Sequence, residues 1–287
     1  MKFVKLFLSS LFFITISHAD MIEEWNQTFG GTLQDIAYSV QQTADGGYIL
    51  AGKTNSFGSG EYDAWLIKTD ANGTEEWNQT FGGTSQDMAY SVQQAFDGGY
   101  ILAGEARSIG TIYNDAWLIK TDATGTEEWS QTFGGTSSEI GHSVQQTSDG
   151  GYILAGTTHS FGNGGNDAWL IKTDANGTEE WSQTFGGTSD DRAVFVQQTY
   201  DDGYILAGYT NSFGSGEYDA WLIKTDANGT EEWNQTFGGA DFEMAYSTQQ
   251  TSDGGYILAG YTESFGNGSN DAWLIKTDAN GTEEWNQ

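Results

Sequence analysis

Apolar residues in this chain come in short runs, and the runs return every 52 residues. Four runs make one repeat. Residues 36–43 form a light, half-polar run with Ala37, Ser39 and Gln41 on one face. Residues 48–52, Tyr-Ile-Leu-Ala-Gly, follow an Asp-Gly-Gly turn. Residues 63–69, Asp-Ala-Trp-Leu-Ile-Lys-Thr, are apolar on both faces, with Trp65 and Ile67 opposite Ala64 and Leu66. Residues 74–81 complete the unit after Asn72-Gly73, which reads as a two-residue hairpin turn with both positions tolerating positive φ. No segment carries an apolar stripe at helical spacing. The four runs therefore predict four antiparallel strands, a to d.

The period is strict. Trp25, Trp77, Trp129, Trp181, Trp233 and Trp285 stand one repeat apart, so five full repeats run from Trp to Trp. Strands apolar on both faces must be sandwiched between neighbouring sheets. Four-stranded units at this period predict a five-bladed β-propeller, with the polar strand a lining a central channel. Each Trp buries roughly 150–250 Å² when enclosed, so the two per repeat are expected to be the main packing elements between blades rather than a sugar platform. Residues 22–30 and 281–287 are both copies of strand d, one more than a ring needs. The N-terminal copy is expected to complete the last blade and hide its edge.

Composition narrows the setting. Residues 1–19 combine Lys2 and Lys5, an apolar core and the small-x-small site Ser17-His18-Ala19, which predicts a cleaved export signal. An uncleaved N-terminal anchor is the alternative. Residues 20–287 read as one propeller domain in a secreted, periplasmic or surface protein. That portion keeps 8 basic residues against 40 acidic ones, a formal charge of −32. Such a balance argues against nucleic acid and anionic membranes, and favours cations, basic partners and a monomer in solution. No later segment is apolar enough to be inserted in a membrane. The chain has no cysteine, which removes thiol chemistry and cysteine-ligated metals, and no proline, so Gly, Asn and Asp must make the turns.

The run from Ala64 to Trp77, an apolar strand ending in Asp70, then Gly73 and a Trp four residues on, resembles the quinoprotein-like propeller repeat. With its Thr-Phe-Gly-Gly and Asp-Gly-Gly-Tyr-Ile-Leu-Ala-Gly segments, the unit is similar to exported prokaryotic β-propeller repeats. The resemblance covers residues 22–287 and implies the fold. Quinoprotein dehydrogenases use a larger eight-bladed ring and often a cysteine pair. Five repeats without cysteine do not carry that activity over.

Candidate chemistry is sparse. His142 and His159 each occur in one repeat, with no nucleophilic motif around them. Asp70-Ala71-Asn72-Gly73 looks like half a calcium loop, but the distal Glu is missing and the hairpin explains it. N-x-Thr sequons at Asn72 and Asn78 matter only in a glycosylating host. Each repeat opens strand a with an acid: Asp35, Asp87, Glu139, Asp191 and Glu243. In a ring these would circle the channel mouth on the face of the d–a and b–c loops, as a Ca²⁺ or basic-group site, with Arg192 relieving some repulsion. The alternative is five acids that only face solvent. Among the copies in this chain the b–c loops vary most, whereas the turn face is nearly uniform. The reading is an exported, non-enzymatic binding or scaffold propeller that takes a protein or glycan partner on the loop face. A lectin-like propeller with a shallow site between blades is the alternative, and an enzyme at the channel mouth a third.

Overall fold

The structure, a computed structural model, describes residues 25–107 and 112–287. The export signal expected over residues 1–19 lies outside the described residues. Among these, every regular element is a strand. Blade 1 is β1 (Asp35–Gln42), β2 (Tyr48–Thr54), β3 (Asp63–Thr69) and β4 (Glu75–Phe81). Blade 2 is β5 (Met88–Gln94), β6 (Tyr100–Arg107), β7 (Asn114–Thr121) and β8 (Glu127–Phe133). Blade 3 is β9 (Glu139–Gln146), β10 (Tyr152–Thr158), β11 (Asp167–Thr173) and β12 (Glu179–Phe185). Blade 4 is β13 (Asp191–Gln198), β14 (Tyr204–Thr210), β15 (Asp219–Thr225) and β16 (Glu231–Phe237). Blade 5 is β17 (Glu243–Gln250), β18 (Tyr256–Thr262), β19 (Asp271–Thr277) and β20 (Glu283–Asn286). Each is an antiparallel four-stranded meander, so the fold is the five-bladed β-propeller expected from the repeat.

Packing follows from the doubly apolar strands. Four apolar cores lie between successive blades. One blade contributes Ile49, Ala51, Ala64, Leu66 and Phe81; the next answers with Ala89, Val92, Tyr100, Leu102, Trp117 and Ile119. The strand-c tryptophans are core, with Trp221 only 1% exposed. The strand-d tryptophans of blades 1 to 4 bridge to the next blade instead. Trp77 packs on Tyr100 at 5.8 Å between ring centroids and covers Gly125, where a Cβ would stand 2.6 Å from the indole.

The inner strands are joined by side chains. Val92 N–H donates to Ser39 Oγ at 3.2 Å, and Gln94 N–H to Gln41 Oε1 at 2.6 Å. The same pair of stitches joins blades 2 and 3 and blades 3 and 4. Between blades 4 and 5 the Gln197 stitch remains, at 3.0 Å, but Phe195 replaces the serine.

Each strand c also carries a lysine that is buried despite its charge. Lys68 Nζ lies 2.9 Å from both Asp45 and Glu76 and donates to the Thr69 carbonyl at 2.8 Å. Lys120, Lys172, Lys224 and Lys276 repeat the brace. A buried ammonium persists only when paired and hydrogen-bonded, and here three acceptors meet it.

Two expectations are corrected. The Asn-Gly turn is not a two-residue loop with positive φ at both positions. Gly73 N–H donates to the Asp70 carbonyl, Asp70 N–H to the Thr74 carbonyl, and only Gly73, at φ 76°, is left-handed. Asp70 Oδ1 accepts from Asn72 and Thr74 N–H, so the aspartate shapes a longer bulged turn. The N-terminal copy of strand d does not complete blade 5. That place belongs to β20, which pairs with β19. Residues 25–31 instead lie along blade 1, with Trp25 on Tyr48 at 5.6 Å and over Gly73. They take the position that a preceding blade's strand d would hold.

Candidate functional site

Strand a is not regular, and its irregularity aims the side chains that differ between blades. The pairing of β1 with β2 slips between Ala37 and Ser39, leaving Tyr38 as the extra residue of a β-bulge. The corresponding bulge residues are Tyr90, His142, Val194 and Tyr246. The bulge brings β1 so close to β2 that a Cβ on Gly52 would stand 1.9 Å from the Ile36 carbonyl oxygen. Gly104, Gly156, Gly208 and Gly260 meet the same approach. The glycine that closes each Tyr-Ile-Leu-Ala-Gly run is thus a steric requirement of the bulge.

The bulge residues form an arc around one end of the channel. Tyr38 and Tyr90 are 5.3 Å apart, and Tyr90 and His142 6.0 Å. Tyr90 Oη donates to Glu105 at 2.8 Å, and Asn114 Nδ2 donates to the same carboxylate at 3.0 Å. Burial, then the Glu105 charge, pushes the Tyr90 phenol well above its ordinary range. His142 is half-buried, 3.2 Å from Thr157 Oγ1, and burial followed by the Arg192 charge pushes its pKa down to about 4. Arg192 lies over Tyr209 at 5.8 Å, Tyr209 meets Tyr218 at 5.4 Å, and Tyr246 meets Tyr261 at 6.0 Å. The histidine is therefore neutral at pH 7 and set among hydrogen-bonding aromatic groups. His159 is exposed in a loop.

Five of the eight basic residues in 25–287 are the brace lysines. The other three, Lys53, Arg107 and Arg192, all stand at this end of the blades. The opposite end is less uniform than the sequence reading has it: the a–b turns hold Phe96 and Tyr200, 75% and 80% exposed, where other repeats have Ala or Ser.

The five strand-opening acids occupy a different setting from the open mouth expected of them. Asp87, Glu139, Asp191 and Glu243 are buried, and Asp35 is half-buried. Each carboxylate accepts from the backbone N–H four residues before it, as Glu243 does from Gly239 at 2.7 Å. Glu243 also takes Thr262 Oγ1 at 2.8 Å and Ser264 N–H at 3.0 Å. Burial opposes its ionisation, but these donors outweigh it and hold the pKa below the usual range. The neighbouring carboxylate is that of the preceding strand c. Asp167 and Asp191 oxygens both lie within 2.7 Å of where a Cβ on Gly186 would be. Burial, then Asp191, raises the Asp167 pKa. Among the described residues no three metal-ligating side chains gather into one group. Burial of these acids had no distinct signal in the sequence, since a strand-opening Asp reads equally well as a solvent-facing cap.

A groove of about 380 Å³ runs beside blade 3, lined by Phe133, Phe161, Trp169, Ser182, Gln183 and Thr184. Phe161 packs on Trp169 at 5.5 Å, and Phe57, Phe213 and Phe265 repeat this contact on their own strand-c tryptophans.

No protein-family profile matches the sequence. The chain is 25% identical to the regulatory protein FlaEY of Caulobacter vibrioides, an alignment covering 74% of this chain. It spans 28% of that relative's length. In three dimensions it resembles a protein of unknown function from Dyadobacter fermentans, with TM-score 0.55, 12% identity, and coverage of 86% of this chain and 79% of that one. It also resembles the Pan2 WD40 domain of Neurospora crassa, with TM-score 0.55, 12% identity and coverage of 87% and 65%. These likenesses support the propeller fold.

Proposed function

We propose that this chain is an exported binding or scaffold propeller, without enzymatic activity, that holds a partner at the bulged end of its channel. One observation carries the reading. Five near-identical blades diverge at His142 and Val194, where the other three have Tyr38, Tyr90 and Tyr246, and at Arg192, where the others have Ile or Met; these positions share one end, while the packing beneath them stays constant. Varied side chains on a rigid frame are the usual form of a recognition surface. Tyrosines, a neutral histidine and Arg192 suit a partner that offers hydrogen bonds and acidic or aromatic groups. The partner is a protein segment or glycan outside the cytoplasm.

The test is selection of a random peptide display library against the purified protein, beside a glycan array. Bound ligands should lose affinity at least tenfold for Arg192→Ala combined with Tyr246→Ala. They should keep it for Asn228→Ala on the turn face. Equal loss from both, or from neither, would remove the bulged end as the site. The lectin-like reading has its own support in the groove at Phe161 and Trp169, an aromatic floor with polar walls. Glycan hits that survive Arg192→Ala but not Phe161→Ala would favour it.

A further inference from the structure

The interface built four times between blades is left as two open halves at the ends of the arc. On blade 1, Val40 is 64% exposed, whereas Val92, Val144 and Val196 are buried. Around it, Tyr48, Leu50, Trp65 and Ile67 line a cavity of about 530 Å³ that Trp25 and Phe29 partly cover. On blade 5, Leu274 is 38% exposed, whereas Leu66, Leu118, Leu170 and Leu222 are fully buried. Ala259 and Ala272 are exposed as well, in contrast to their equivalents in every other blade.

The halves are complementary by construction. Ile257, Ala259, Ala272 and Leu274 hold the positions that Ile49, Ala51, Ala64 and Leu66 hold in the first core. Ala37, Val40, Tyr48 and Leu50 hold those of Ala89, Val92, Tyr100 and Leu102. The stitches match too: Ser247 and Gln249 stand where the next acceptors belong, and Val40 and Gln42 where the preceding donors belong.

The strand edge gives a further match. β20 pairs with β19 at Ile275, Lys276 and Thr277, and Gln287 exchanges both backbone hydrogen bonds with Leu274. In blade 4 the strand-d residues Thr236 and Phe237 stand opposite Trp221 and Ala220. Residues 25–29 read Trp-Asn-Gln-Thr-Phe, identical to 233–237 of β16, and already lie in the strand-d position in front of blade 1 without a strand c beside them.

We infer that the end faces take a second copy of this chain, head to tail: blade 5 of one molecule seats on blade 1 of the next. Residues 25–31 of the second molecule replace β20 as strand d on β19 of the first. Trp25 keeps its seat on Tyr48 and Gly73, Phe29 fills the position opposite Ala272, and the Ser and Gln stitches continue across the join. The contact is heterologous, since each molecule uses a different face. It covers an open sheet edge and two apolar faces together. The high negative charge opposes the approach, so association should strengthen as salt is raised.

The experiment is sedimentation velocity of the full chain from low to high micromolar concentration, at physiological and high salt. Two variants at exposed positions break one half each: Val40→Glu at the head and Leu274→Glu at the tail. Circular dichroism checks that both fold. Wild type should shift with concentration to a dimer or larger species, and each variant alone should stay monomeric. Mixed, the two variants should form a dimer and stop there, because the Leu274 face of one meets the Val40 face of the other. A wild type that remains monomeric throughout overturns the inference and leaves closure within one molecule. So does a mixture that fails to dimerise.

Discussion

His142 gives the sharpest test of the electrostatics at the bulged end. Its pKa is pushed down to about 4 from the ordinary value of about 6.5, first by burial and then by the Arg192 charge. A histidine with a lowered folded pKa binds more protons when unfolded. Its penalty on folding is therefore absent above pH 6.5 and grows as pH falls through 6.5 toward 4. At pH 4.5 the difference between the two states is on the order of 2–3 kcal/mol, from about 1.36 kcal/mol per pKa unit. For a domain of this size that lowers Tm by about 5–10 °C. Asp167 and Asp219 have raised pKa values, chiefly from burial, so they protonate early in the native state and work in the opposite direction. The comparison must therefore be with a variant that removes only the histidine. His142→Tyr uses the residue found at the matching position in blades 1, 2 and 5. Thermal melts of both proteins should run parallel above pH 7, and the wild type should fall away from the variant between pH 6.5 and 4.5. Curves that stay parallel down to pH 4.5 would refute the burial argument.

Other outcomes follow from the packing and the braces. Trp221→Ala removes a side chain that is 1% exposed and should cost about 3–5 kcal/mol, measured as a shift in urea midpoint at constant slope. Gly208→Ala places a Cβ 1.9 Å from the Arg192 carbonyl oxygen, so it should destabilise by several kcal/mol, roughly the upper range for point mutants, whereas the exposed Ser252→Ala should leave Tm unchanged. Burial opposes ionisation of Asp149, but the Thr147 hydroxyl, the Gly151 N–H and Lys172 together outweigh it and lower its pKa to about 2. Its stabilisation should be full above pH 4 and lost toward pH 2, a window that Asp149→Asn should flatten in acid melts. Millimolar Ca²⁺ should leave Tm unchanged, because the strand-opening carboxylates already have protein donors; a rise abolished by Asp35→Asn, Asp87→Asn and Glu139→Gln together would restore them as a cation ring.

The strands and blades were legible because the chain states each of them five times. Asp63–Thr69 falls where its doubly apolar pattern places it, and Glu75–Phe81 differs from expectation by one residue. The bulges were hidden, since an extra residue in strand a does not disturb the average alternation. The glycine of Tyr-Ile-Leu-Ala-Gly was their one visible trace. Lys68 carried a signal that sequence alone could have used: a lysine recurring in an otherwise apolar strand needs acids, and Asp45 and Glu76 recur with it. The half-empty end faces lay beyond reach, because residues such as Val40 and Leu274 are indistinguishable in sequence from their buried copies.

The side-chain stitches make the inner strands a zipper with a direction. Each rung hangs an amide of one blade on a hydroxyl or amide oxygen of the blade before it, so a blade that loosens also releases a hold on its successor. The protection of these amides against deuterium exchange should then be shared across blades 1 to 4 as one cooperative unit. Phe195 interrupts it. With no hydroxyl there, the amide of Thr248 has no counterpart to the support that Val92, Val144 and Val196 receive. The fifth blade is thus the one placed to fray by itself.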